Sequence, residues 1–272
     1  MVLNPFISVL LSAFNAEKFL KESLESILNQ TYTNFELIII NDGSSDRTQG
    51  IIDAYSDPRI KCILHTQNRG LIQSLNEGIL CAKGAYIVRM DADDIAFLNR
   101  IQVQVHFMES NPQIAAVGSH AIFFEKNTEF PIENWALDQE TNTILKIKKA
   151  LIWENCLIHP SMCLRANIAK DLLYDPNQKN YEDYDLWLRI IANDYSIAKI
   201  NEPLIYYRVQ ESSITQTSIR KSNFYFHKAN TKFNFFKNCI SNKIFNLFVF
   251  TVSISLFLDL MMGIAKKIKT KM

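Results

Sequence analysis

The sequence predicts an α/β protein in which a mostly parallel central sheet is flanked by helices. Three observations carry that prediction. Short runs at 6–11, 35–40 and 85–90 are nearly continuous in apolar residues, as strands covered on both faces are. Between them, apolar residues recur at helical spacing, as at Phe19, Leu20, Leu24, Ile27 and Leu28. Polar clusters then follow the strands directly, at 12–15, 41–46 and 91–94, and ligands of parallel sheets bind at those carboxyl ends.

Taken in order, a strand over 6–11 leads into a helix over 17–28. The strand over 35–40 closes in the turn cluster Asn41-Asp42-Gly43-Ser44-Ser45-Asp46, followed by a helix over about 47–55. A strand at 60–64, a helix over 71–82 and the strand 85–90 complete the alternation. A helix over 98–110 and a strand over 114–124, broken at Gly118, come next. Residues 131–138 read as irregular and 141–151 as helical. After His159-Pro160 the chain is expected to form a strand, a loop, a helix over 182–192 and closing strands at 197–200 and 204–209.

Composition narrows the function. With 272 residues, 48% hydrophobic and 21% charged, the chain folds rather than remaining disordered. Five cysteines, an odd number with no C-x-x-C pair, exclude a disulfide framework or zinc ribbon and suit a reducing cytosol. No secretory signal is expected in residues 1–11. Neither G-x-G-x-x-G nor G-x-x-x-x-G-K-[ST] occurs, against a dinucleotide oxidoreductase or P-loop ATPase, and no glycine-rich basic loop near the amino terminus suggests a nucleotidyltransferase. Residues 1–219 hold 19 Lys+Arg against 27 Asp+Glu, whereas 220–272 hold ten against Asp259 alone. An acidic body argues against nucleic-acid binding, and the basic tail points to an anionic surface.

Three constellations bear chemistry. Asp91-Ala92-Asp93-Asp94 follows a strand directly, and three carboxylates in four residues suit a hard divalent cation, Mg²⁺ or Mn²⁺. The competing reading is a solvated acidic turn in which Asp94 caps the next helix. Asp42, at a second strand end, can accept a hydrogen bond from a base or ribose, while Ser45 or Asp46 can cap the helix that follows. Asn180-Tyr181-Glu182-Asp183-Tyr184-Asp185 opens a helix. There the acids either compensate the helix dipole or offer one general base aimed at an acceptor hydroxyl.

With these motifs in view, the chain from Pro5 to about Thr215 resembles the inverting glycosyltransferases of family two, which have the Rossmann-like GT-A fold. The resemblance is carried by Pro5-Phe6-Ile7-Ser8-Val9 with Asn15, Gln30-Thr31-Tyr32, and Glu36 through Asp46. It continues through Asn68-Arg69-Gly70, Gly84-Ala85-Tyr86-Ile87, Asp91-Ala92-Asp93-Asp94, Arg100, His159-Pro160-Ser161, Glu182-Asp183 and Tyr207-Arg208. It implies that Ser12 and Phe14 flank the nucleotide base, that Asp42 recognises it (usually uracil), and that Arg69 approaches the nucleotide. It further implies a metal on Asp91 and Asp93, with Asp94 a direct ligand in some members, and Asp183 as catalytic base beside Glu182. Phe14 stands where Tyr is frequent, and Gln210 where many relatives place a His that completes the metal shell. His159 is expected to be structural.

The expected work is transfer of a sugar from a nucleotide donor, by the family resemblance a UDP-sugar, to a glycan or lipid-linked acceptor at the cytoplasmic face of a membrane. The alternatives are sugar transfer to a polyprenyl phosphate and a catalytically silent carbohydrate-binding scaffold. The expected organisation is a catalytic domain over 1–215 and a basic helical tail over 216–272. Within the tail, 244–265 is 22 residues long and largely apolar, enough to span a bilayer. Its Asn246, Thr251, Ser253, Ser255 and Asp259 favour instead a helix lying in the membrane plane, with its polar face towards water; a true span and a helix packed on the body or a partner are the alternatives.

Overall fold

The structure, a computed structural model, describes residues 4–125, 135–178, 180–210 and 224–269. An eight-stranded sheet runs through it in the order β3-β2-β1-β4-β7-β6-β8-β5. Strands β1 (Ile7–Ala13), β2 (Phe35–Asn41), β3 (Ile60–Leu64) and β4 (Tyr86–Asp91) are mutually parallel. Helices α1 (Leu20–Leu28), α2 (Thr48–Asp53) and α3 (Leu71–Cys81) connect them. Side chains alternate across each strand, so Val9 and Leu11 pack with Leu20, Leu24 and Ile27 of α1, while Leu10 packs with Leu75 and Ile79 of α3. Covering both faces is what the unbroken apolar runs required.

Past β4 the sheet becomes mixed. A two-residue strand β5 (Ile95–Ala96) precedes α4 (Arg100–Ser110) and β6 (Ile114–Phe124). The short helices α5 (Ala136–Glu140) and α6 (Ile144–Leu151) follow, and a 3-10 turn at His159–Ser161 leads into β7 (Cys163–Arg165). β7 runs antiparallel to both β4 and β6 and joins the two parallel blocks. Then come α7 (Ala166–Leu172), α8 (Glu182–Ala192) and β8 (Ser196–Arg208).

Several expectations are corrected. The break at Gly118 does not occur: β6 runs through it, and the missing side chain makes room for Met162, whose Sδ would lie 2.7 Å from a Cβ there. The two closing strands are one, because register shifts against β6 at Ser119, His120 and Ala121 absorb the Asn201-Glu202-Pro203 interruption. Of the stretch expected to be irregular, 136–138 is helical and 131–134 lies outside the described residues. The expected domain boundary near 215 also lies outside them.

Two tail helices, α9 (Phe224–Ser241) and α10 (Leu247–Lys269), complete the chain. Leu247–Lys267 is long and apolar enough to cross a membrane, with a mean hydropathy of 2.1. Yet Phe235 and Cys239 of α9, and Phe248, Val249 and Val252 of α10, sit in the same core cluster as Trp187 and Leu188 of α8. Asp259 faces inward too, against the expectation that the polar face of this helix meets water. Buried Lys232 donates to Asp259 (2.5 Å) and Ser255 Oγ (2.6 Å), and Lys228 lies 3.2 Å from the same carboxylate. A buried acid finds two buried lysines, which the pattern of one helix alone does not reveal.

Candidate active site

Parallel register gathers the predicted residues at one edge of the sheet. Ser12 lies opposite Asp91, and Ala13 opposite Asn41, so the chain turns carrying Phe14, Asp42 and 91–94 leave from neighbouring strand ends. The loops after β1 and β2 are laced together. Asn15 Oδ1 accepts from the Ser45 amide (2.9 Å), Ser44 Oγ from the Asn15 amide (3.0 Å), Asp46 from the Glu17 amide (3.0 Å) and Glu17 from the Arg47 amide (3.0 Å). Asp46 also accepts from the Thr48 amide (2.9 Å) at the start of α2, although the residue in the cap position is Arg47, whose side chain makes no capping bond. This lacing leaves the Phe14 ring exposed beside the strand ends, available to stack on a base.

Asp42 is buried, and its lone pairs are nearly all spoken for. Oδ1 accepts from His65 Nδ1 (2.7 Å) and the Arg69 amide (2.8 Å), and Oδ2 from the Gly70 amide (2.8 Å). Burial alone would raise its pKa, but the His65 contact and the two amides hold it below the usual carboxylate range. The far side of His65 meets Glu77 at 2.9 Å, and the Arg69 guanidinium reaches the same Glu77 at 3.0 Å. Gly43 turns away with φ +70, where a Cβ would lie 2.4 Å from the Gln67 backbone, so only glycine fits.

Asp91, Asp93 and Asp94 each place a carboxylate oxygen within 4.8 Å of the others. Asp91 pairs with Arg89. Asp94 is buried, with one oxygen accepting from the Arg208 amide (2.8 Å) and the other without a hydrogen-bond partner. Burial, then the charge of Asp91, pushes Asp93 up to about 6; burial and both neighbouring carboxylates push Asp94 well above its ordinary value. Gln210 donates to Asp93, so the residue that replaces the usual histidine does reach the acidic cluster. Arg208 closes the loop by donating to the Asp93 carbonyl (2.8 Å) and Glu22 (2.6 Å), its guanidinium stacked between Phe19 and Phe124. A hard divalent cation suits this donor set, since it would supply the positive charge that three close carboxylates and an orphaned buried oxygen lack.

The opposite wall is the start of α8. Asn180 and Tyr181 both adopt left-handed conformations, with φ 62 and 55, and turn the chain sharply into the helix. Asp183 then accepts from Asn155 Nδ2 (2.7 Å) on one oxygen and from the Tyr184 amide (2.8 Å) on the other. Burial raises the Asp183 pKa against these donors, and burial with the Asp183 charge lifts Glu182 to about 7. The Arg89 charge acts on Asp91, Asp94, Glu182 and Asp183 alike, tying the two walls electrostatically. This loop also leans on the tail: Gln178 donates to Thr231 (2.7 Å) and accepts from Asn234 (3.1 Å), while Tyr181 meets the rings of Phe224 and His227.

His159 stands apart from the acids. Its Nε2 contacts the Tyr174 hydroxyl (2.7 Å) and its ring meets Trp187 edge-on, the structural role expected of it. Sequence reasoning passed over Arg89, His65, Glu77 and Asn155. Only Arg89 left a signal: an arginine inside a buried strand, two residues before Asp91 and therefore on its face.

A parallel block completed by an antiparallel insertion, with acidic loops at its carboxyl edge, is the GT-A fold. Solved structures share it. Staphylococcus aureus TarS 1–349 in complex with UDP-GlcNAc superposes with a TM-score of 0.67 at 18% identity, over 84% of this chain and 65% of that one. The mannosyltransferase PcManGT of Pyrobaculum calidifontis, in complex with GDP-Man and Mn²⁺, superposes with a TM-score of 0.67 at 15% identity, over 97% and 76%. This chain thus spans just under two thirds of the TarS fragment.

The family model for glycosyl transferase family 2 matches residues 8–173. An uncharacterized glycosyltransferase of Methanocaldococcus jannaschii is 35% identical over 94% of this chain and 89% of its own length. The Escherichia coli enzyme WfaP, a UDP-Glc:alpha-D-GlcNAc-diphosphoundecaprenol beta-1,3-glucosyltransferase, is 30% identical over 80% and 84%. The chain belongs to glycosyltransferase family 2.

Proposed function

We propose that this glycosyltransferase moves a sugar from a UDP-sugar to a lipid-linked or glycan acceptor at the cytoplasmic face of a membrane, with inversion at the anomeric carbon. The observation that carries the reading is the pairing of two unlike acidic walls. One is a carboxylate triad with an orphaned buried oxygen; the other is a single carboxylate held at both oxygens and raised in pKa. Asp91, Asp93 and Asp94 would hold a divalent ion, Mn²⁺ or Mg²⁺, which neutralises charge on the departing diphosphate. Asp183, aimed by Asn155, takes the proton of the acceptor hydroxyl as the new bond forms. Its raised pKa makes it a better base than an ordinary aspartate.

The base is assigned by counting lone pairs. His65, the Arg69 amide and the Gly70 amide fill three acceptor positions of Asp42 and leave one, on Oδ2. One position suits the single imide N–H of uracil. Guanine offers an adjacent pair of donors that asks for both oxygens. Phe14 supplies the stacking surface, Ser12 stands at the strand end beside Asp91, and Arg69 is the neighbouring cation. A lipid-linked acceptor agrees with the activity named for WfaP.

Calorimetric titration with UDP and GDP, with and without Mn²⁺, tests the donor side. Mn²⁺-dependent binding selective for UDP is expected, and GDP binding more tightly would overturn the base assignment. Radiolabelled UDP-sugars offered with a diphosphate-linked lipid acceptor, or with a polyprenyl phosphate, then test the acceptor. Binding of UDP with no transfer to any acceptor would leave a silent scaffold.

A further inference from the structure

Helix α10 turns its one acid inward and a row of large apolar side chains outward, which is unusual for a surface helix. Its inner face joins the core through Phe248, Val249 and Val252, and buries Asp259 against Lys228 and Lys232. Its outer face carries Leu247, Phe250, Ile254, Phe257, Leu258 and Met261, each 43–77% exposed. At spacings of three and four residues these six form one stripe. It runs about 20 Å along the helix at 1.5 Å per residue. A continuous apolar stripe of that size marks an interaction surface.

Charge selects the occupant. The segment 220–272 has ten Lys+Arg and one acid, and that acid is consumed inside by two of the lysines. Exposed Lys243 stands just before the stripe, and Lys266, Lys267, Lys269 and Lys271 follow it. A second copy placed face to face would bring like charges together. An anionic bilayer satisfies both the stripe and its basic ends. To cross that bilayer, α10 would have to strip Phe248, Val249 and Val252 from the core and separate Asp259 from its lysines.

We infer that the α9–α10 hairpin is a prebuilt dock that seats the folded body on an anionic membrane, with α10 in the membrane plane. The inference complements the lipid-linked acceptor reading but rests on separate residues. The full chain should float with phosphatidylcholine–phosphatidylglycerol vesicles, and at least about tenfold less with phosphatidylcholine alone, since each basic residue near an anionic surface adds about 1 kcal/mol. The exposed-face double variant Phe250→Glu/Phe257→Glu should lose flotation about a hundredfold while binding UDP as the wild type does. Undiminished flotation of that variant overturns the inference. So does a wild-type dimer that this variant makes monomeric without any vesicle binding by the wild type. A cysteine appended after Met272 should react with impermeant maleimide on bound protein, read on the carboxy-terminal peptide; protection would show a span and overturn it too. Flotation without UDP binding would instead refute the donor reading and leave the dock standing.

Discussion

Asp138 and Asp94 are both buried aspartates on the same sheet's periphery, and they are treated in opposite ways. Asp138 meets Lys199 at 2.7 Å and His120 at 2.9 Å, and Lys199 also donates to Thr141 and the Cys156 carbonyl. The Asp138 contact in turn raises the His120 pKa. Every charge there has an answer. Asp94 has one amide, an empty oxygen and two like-charged neighbours. Asp185 likewise leaves one oxygen without a partner, but Arg189 neutralises it at 2.8 Å. The difference teaches how to sort buried acids in this chain: a closed network is answered within the fold, and the open one is the candidate for a charge from outside.

The largest expected effect lies on the opposite wall of the site. Asp183→Asn should cut kcat by about 10²–10⁴, the usual worth of a positioned base, with UDP affinity unchanged. Lost affinity would place Asp183 on the donor side and blur the division. Next, Asp138→Ala should destabilise the protein by about 3–5 kcal/mol in chemical denaturation, because it strands a buried lysine. A cost under about 1 kcal/mol would mean the closed network is not what holds that region. By contrast, Asp94→Asn should leave stability unchanged or raised by about 1 kcal/mol, since it relieves like-charge repulsion. The same variant should weaken Mn²⁺-dependent UDP binding at least about tenfold, on the scale of 1.4 kcal/mol. Substantial loss of stability there would erase the contrast altogether.

The last expected effect is on pH. Asp93 at about 6 and Glu182 at about 7 hold protons in the folded state that the unfolded chain releases near 4. The native state therefore binds more protons between about pH 4 and pH 7, and metal-free stability should fall as pH rises through that window. Thermal melts across it, with and without Mn²⁺, check this. A flat metal-free profile would show that burial and the neighbouring carboxylates do not keep these acids protonated.

Much of this was legible in the sequence because it depends on local order. The strands β1 to β4, the turn after β2 and the acidic run after β4 are read from periodicity and position alone. What escaped depends on partners distant in the chain. His65 braces Asp42 from 23 residues away, and Asn155 aims Asp183 from 28. Helix α10 was only half legible. Its polar residues do share a face, but the lysines that turn that face inward sit on α9, where nothing in the α10 pattern points to them. Strand β5 and helix α7 have too few residues for a period to show.

The span matched by the family model stops at residue 173, ten residues before Asp183. The strand-end cluster from Ser12 to Asp94 falls inside it, while Arg208 and Gln210, which bond to Asp93 and Asp94, fall outside. The loop at 178–183 falls outside, propped on Thr231, Asn234, Phe224 and His227 of the tail. The acidic wall that opens α8 therefore depends on the tail for its support. Ending the chain near residue 210 would remove those props together with the share of the core that Phe235, Cys239, Phe248, Val249 and Val252 supply, so a change in the tail can reach Asp183 without touching its neighbours in sequence.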